Sequence, residues 1–122
     1  MDPVPPSLVE KWALAVVALV AAAGAHTLCN AFFHCGCRGW SAAHCNIHHA
    51  MGPRCPWCTA PWHFALAIAL WLACAQLAIA LGRRRFGRRA PYTLFAGFFG
   101  LLAGAVASAA ITVWLTGYPH LF

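Results

Sequence analysis

The chain has 122 residues, 62% of them hydrophobic and 8% charged, far below the roughly 25% charged residues of a soluble globular domain. That composition excludes an ordinary water-soluble domain and reads as a membrane protein. Two acids, Asp2 and Glu10, face eight bases, and five of those bases sit in the run GRRRFGRR, so the net charge of +6 is local and does not indicate nucleic-acid binding.

The opening segment MDPVPPSLVEK leads into an apolar stretch from Trp12 to about Phe33. Within it AAAGAH would suit signal cleavage before His26, but two acids and one lysine stand where a signal needs a positive start. The stretch is therefore expected to remain as a span. A second apolar stretch runs from Trp62 to Leu81 and a third from Tyr92 to about Thr116. Each has the roughly 20 residues a helix needs to cross about 30 Å of hydrocarbon, and lipid leaves helices as the economical spanning structure because it satisfies no backbone groups. The expected fold is an all-α integral membrane protein of one domain, residues 1–122. It has three transmembrane helices, a Cys/His-rich external loop over residues 34–61 and an arginine-rich turn over residues 82–91.

Arg83, Arg84, Arg85, Arg88 and Arg89 crowd the turn, while the loop carries Arg38 and Arg54. Basic residues in short loops mark the cytoplasmic side. The N-terminus, with Lys11, is then cytoplasmic, and the loop and the tail GYPHLF face the periplasm of a bacterial inner membrane. No Asp, Glu, Lys or Arg falls within a span, which argues against a pump or proton-coupled transporter. His26 and His63 lie toward the outer side, where haem ligation is a weaker reading than hydrogen bonding to a neighbouring helix. No CxxCH is present, since Thr59 follows Cys58.

Span three places Ala96, Gly100, Gly104, Ser108 and Thr112 at spacings of four, on one helical face. Small residues let another helix approach closely, and Gly100, Gly104 and Ser108 are the expected docking face for other membrane subunits, with the protein's own spans as the alternative. Tyr92, Trp114 and Tyr118 suit interfacial anchors.

The loop holds three motifs. CGC carries Cys35 and Cys37, HCNIHH carries His44, Cys45, His48 and His49, and CPWC carries Cys55 and Cys58. Paired cysteines distant in sequence are how a chain assembles a tetrahedral thiolate site, with histidine as a substitute ligand. Zinc is the first choice; copper and an iron-sulfur cluster follow. An exported loop can also hold disulfides, since six cysteines including Cys29 lie on or near the outer side. Disulfides need no histidines, however, and four of them fall between His34 and His49.

CPWC just ahead of span two resembles the placement of a CxxC in the membrane quinone reductases that form periplasmic disulfides. The resemblance covers four residues. Those proteins have a four-helix bundle and a second cysteine pair, which three spans and GYPHLF do not match, so membership is not implied. The sequence thus suggests a small accessory subunit of a larger complex, its loop folded around a metal and without a catalytic constellation. The rivals are a thiol-disulfide or electron-transfer protein using Cys55 and Cys58, and a heavy-metal uptake or delivery protein passing a soft cation inward through His26 and Cys74.

Overall fold

A computed structural model describes residues 7–38, 43–87 and 89–119. Arg88 of the basic turn and the last residues of the tail GYPHLF fall outside them. Among the described residues the chain is all-helical without strands: α1 (Leu8–Phe33), a 3-10 turn at Asn46–His48, the short α2 (Pro56–Thr59), α3 (Pro61–Phe86) and α4 (Ala90–Thr116). Three of these, α1, α3 and α4, are long and apolar enough to cross a membrane.

Local chemistry sets their ends. Ser7 caps α1 in a reciprocal box: its hydroxyl accepts from the Glu10 amide at 3.3 Å and its own amide donates to Glu10 Oε2 at 2.8 Å. Pro61 opens α3, where a missing N–H costs nothing. The turn after Phe86 is short because Gly87 takes φ 75°, which returns α4 antiparallel to α3. Glu10 and Arg83 pair at 3.4 Å, tying the start of α1 to the end of α3. Arg83, Arg84, Arg85 and Arg89 therefore lie at the opposite end of the bundle from the Cys-rich loop.

Small residues determine the packing. α1 buries Ala13, Val17, Ala21, Ala25 and Cys29, a row at spacings of four, and α3 buries Ala67, Trp71, Ala75 and Ile79. α4 packs most extensively on α3 and then on α1. A methyl group on Gly100 would lie 2.5 Å from the Cys74 carbonyl oxygen and 2.6 Å from Ala78 Cβ; on Gly104 it would lie 2.9 Å from Trp71 Cα. Glycine is what allows α3 and α4 this contact. Ser108 is buried beside them and accepts from Trp71 Nε1 at 2.7 Å. The face of Gly100, Gly104 and Ser108 assigned above to a partner is thus covered by the chain's own α3.

The outer helix surfaces carry Leu19, Leu66, Phe95, Phe99, Trp114 and other exposed apolar side chains. Tyr118 departs from its expected place as an interfacial anchor. It is buried, its hydroxyl donating to the Phe33 carbonyl at 3.1 Å and accepting from Asn46 Nδ2 at 2.8 Å, which fastens the end of α4 to the loop.

Candidate metal centre

The last turn of α1 carries Cys29, and the chain leaves the helix at His34 in the left-handed conformation, φ 49°. Asn30 Oδ1 then accepts from the Gly36 amide at 2.8 Å, bending the chain back over the helix end. Gly36 takes φ 84°, and a side chain there would strike the His44 carbonyl. The glycine of CGC is therefore required twice over: it turns the chain and lets the segment around His44 cross it. That crossing is fixed by the Asn46 amide on the Cys35 carbonyl at 2.7 Å, and it delivers Cys45 beside Cys35 and Cys37.

Asn46 connects the loop's parts. Its Oδ1 accepts from the Cys55 amide at 2.7 Å and its Nδ2 donates to the Pro53 carbonyl at 2.9 Å. Cys55 then caps α2, with Pro56 at its first position. Trp57, fully buried, seats this turn on the bundle: its ring meets Phe33 edge-on at 4.8 Å, lies against Trp71 at 5.4 Å and stacks on Phe64 at 5.8 Å. Its Nε1 donates to Thr112 Oγ1 at 3.0 Å. The Trp of CPWC is an anchor holding Cys55 and Cys58 over the helix ends.

Six sulfurs meet as a result. Cys29 Sγ is 3.4 Å from Cys35 Sγ, 3.2 Å from Cys55 Sγ and 3.6 Å from Cys58 Sγ, and Cys37 Sγ is 3.4 Å from Cys58 Sγ. Two groups of four each lie within 4.8 Å of one another: Cys29, Cys35, Cys55 and Cys58, and Cys35, Cys37, Cys45 and Cys58. Both could hold a metal ion. All but Cys58 are buried, and none is bonded to another, since a disulfide brings its sulfurs to about 2.05 Å.

The sulfurs are unequal as acids. Thiol hydrogen bonds from Cys29, Cys55 and Cys58 lower the Cys35 pKa, helped by the Cys37 amide. Burial, then the neighbouring Cys35 and Cys45 sulfurs, push Cys37 up to about 12. The pKa of Cys55 is lowered like that of Cys35, chiefly by the thiol hydrogen bond from Cys29 and with smaller help from the Cys58 thiol and amide. Buried thiolates packed this closely repel one another, and a cation at their centre is what lets several ionise together.

Of the residues singled out in the sequence, the structure brings together Cys35, Cys37, Cys45, Cys55 and Cys58. His44, His48 and His49 are exposed and lie in neither four-sulfur group. The 3-10 turn starts after His44, at Asn46, so His44 and His48 do not share the helical face that their spacing would give. Cys29 joins from within α1, as a ligand candidate the motif reading passed over. Its one sequence signal was that it completes six cysteines on the outer side. Cys74 lies in the contact between α3 and α4, beside Gly104, about 20 Å along α3 from its first residue. His26 meets Phe64 edge-on at 5.5 Å and His63 Nδ1 is 3.3 Å from the Pro56 carbonyl.

Comparisons with known protein families, with curated proteins and with solved structures give no match for this chain.

Proposed function

We propose that this chain is a small integral membrane subunit whose three helices span the bilayer and whose external loop is folded around thiolate-bound zinc. The convergence of sulfurs from α1, the loop and α2 on common centres is the observation that carries the reading. Four ligands about 2.3 Å from zinc stand about 3.8 Å apart in a tetrahedron, close to the 3.2–3.6 Å that separate Cys29 Sγ from the sulfurs of Cys35, Cys55 and Cys58. An iron-sulfur cluster divides its four thiolates among two or four irons and so spreads them further apart than a single tetrahedral ion does. Copper(I), which accepts fewer thiolates, suits a four-sulfur group less well.

The metal's role is structural. Four sulfurs complete a tetrahedron and leave no position for water or substrate, as catalytic zinc requires. The loop between α1 and α2 has little apolar mass of its own, and metal binding can contribute about 10 kcal/mol or more to such a fold. The thiol-exchange reading is disfavoured because Cys55 is fully buried, whereas an attacking thiolate needs access. Exposed apolar helix faces suit lipid contact, and the arginine-rich turn supports a cytoplasmic setting for the opposite end. A partner subunit would engage a face other than the one α3 covers.

The test is elemental analysis of the full-length protein purified in detergent without added metal. The expected result is bound zinc, at least one per chain, and a loop that becomes protease-sensitive on chelation. A metal-free protein with all its thiols reduced, or one with its cysteines oxidised, overturns the proposal.

A further inference from the structure

The two four-sulfur groups are not separate sites. Cys35 and Cys58 belong to both, Cys29 and Cys55 to the first alone, and Cys37 and Cys45 to the second alone. Two tetrahedra sharing one edge have this arrangement: two four-coordinate ions need eight ligand positions, and six sulfurs fill them when two of the six bridge. From this overlap we infer that the loop holds two divalent metal ions bridged by the thiolates of Cys35 and Cys58. The inference deepens the metal reading above and rests on it.

A single ion would leave two thiols without a role. If it took the first group, Cys37 and Cys45 would remain as buried thiols, 1% and 0% exposed, beside the bound thiolates and with no metal between them. If it took the second, Cys29 and Cys55, both 0% exposed, would be left likewise. Charge permits the second ion: four thiolates on one divalent ion with two thiols still protonated, and six thiolates on two ions, both carry two negative charges, so ionising the last two thiols around a second ion adds no net charge to bury. The bridging positions also match the chain path. Cys35 begins CGC and Cys58 ends CPWC, so each belongs to a motif whose other cysteine is terminal: Cys37 on one ion and Cys55 on the other. Each motif thereby contributes to both ions, and the segment bearing Cys45 is drawn to the second.

Each metal ion takes up thiolates and releases their protons to solvent, with no change of oxidation state. Soft or borderline divalent ions, zinc first and cadmium or cobalt as substitutes, fit an all-sulfur set.

The experiment is metal titration of the full-length protein, stripped and reduced, in detergent micelles, using cobalt(II) and cadmium(II) as probes. Two equivalents should bind per chain by native mass spectrometry. The cadmium-113 spectrum should show two resonances coupled to one another through the shared sulfurs. Cys45→Ser should retain one ion of the two, whereas Cys35→Ser and Cys58→Ser should disturb both. One tightly bound ion per chain, or two cadmium resonances without coupling, overturns the bridged pair while leaving the metal reading standing. No binding by the reduced wild-type protein overturns both. Because the wild-type titration decides by itself, a variant that fails to fold does not obscure the result.

Discussion

Cys29 Sγ lies 3.2 Å from Cys55 Sγ although 26 positions separate the two in the chain. One sulfur comes from the last turn of α1, the other from the cap of α2, so metal binding here would clamp the ends of two helices together. Cys29→Ser should therefore weaken metal binding more than a loss outside the coordination sphere, which typically costs 10–100-fold. Competition against a chromophoric chelator would measure it, and an unchanged affinity would remove Cys29 from the ligand set. Replacing His44, His48 and His49 together by Ala should leave metal stoichiometry unchanged, because sulfurs alone complete both groups.

How far the sequence foretold this centre depends on the kind of signal. The long helices were legible because hydropathy and length are properties of contiguous residues, and their ends extended furthest past the apolar stretches where Ser7 and Glu10 cap α1 and where α3 continues through Arg83, Arg84 and Arg85. CGC and CPWC were legible because close spacing brings sulfurs together within one turn. Cys29 was not, because inside a helix it reads as one more small apolar residue in the row with Ala21 and Ala25. Which ligands close on one centre depends on long-range geometry: Gly36 beneath the His44 carbonyl, Asn46 across to Cys55, Trp57 in its aromatic pocket. The histidines drew attention by density alone, and density does not place a side chain.

Acid should release the metal. At neutral pH without metal, Cys37, held at about 12 chiefly by burial, keeps its proton, so a metal ion must displace that proton to bind there. Apparent affinity should rise with pH by up to about tenfold per unit for each proton displaced. The sign for stability follows. A metal-bound thiolate has a folded-state pKa depressed below its free value of about 8.5, so its contribution is present above that value and is lost as pH falls through the depressed one. Zinc release and protease sensitivity of the loop should appear together on acidification, followed with a zinc-sensing dye and limited digestion. Release that is flat in pH would argue against thiolate ligands.

Asn46→Ala should loosen the loop without removing a ligand. The side chain accepts from the Cys55 amide and donates to the Pro53 carbonyl and the Tyr118 hydroxyl. Its loss leaves the amide of buried Cys55 unsatisfied, at about 1–3 kcal/mol, while the exposed Pro53 carbonyl turns to water and the Tyr118 hydroxyl keeps its bond to Phe33. The expected outcome is a lower unfolding temperature and faster metal exchange at unchanged stoichiometry, read by calorimetry and by isotope exchange of bound zinc. Tyr118→Phe should show a smaller effect of the same sign, because it removes only the hydroxyl linking Asn46 to Phe33. If Asn46→Ala abolished binding altogether, its oxygen would have to be counted among the ligands.

Gly100→Leu and Ser108→Ala separate bundle stability from metal chemistry. A side chain at Gly100 meets the backbone of α3 at Cys74 and Ala75, and backbone cannot move aside as a side-chain end can. Overpacking of this kind typically costs about 1–3 kcal/mol, and here it should push α3 from α4. Ser108→Ala instead removes the acceptor of Trp71 Nε1, a loss of about 0.6–1.7 kcal/mol for an interhelical hydrogen bond within a membrane. Both losses should appear in equilibrium unfolding in mixed micelles. Trp71 lies against Trp57, and Trp57 holds the CPWC turn, so a displaced α3 should also reach the sulfurs. Gly100→Leu is accordingly expected to speed metal exchange, and Ser108→Ala to leave it close to the wild-type rate. Equal metal exchange in both variants would mean that the loop is fastened by its own metal and not by the helices beneath it.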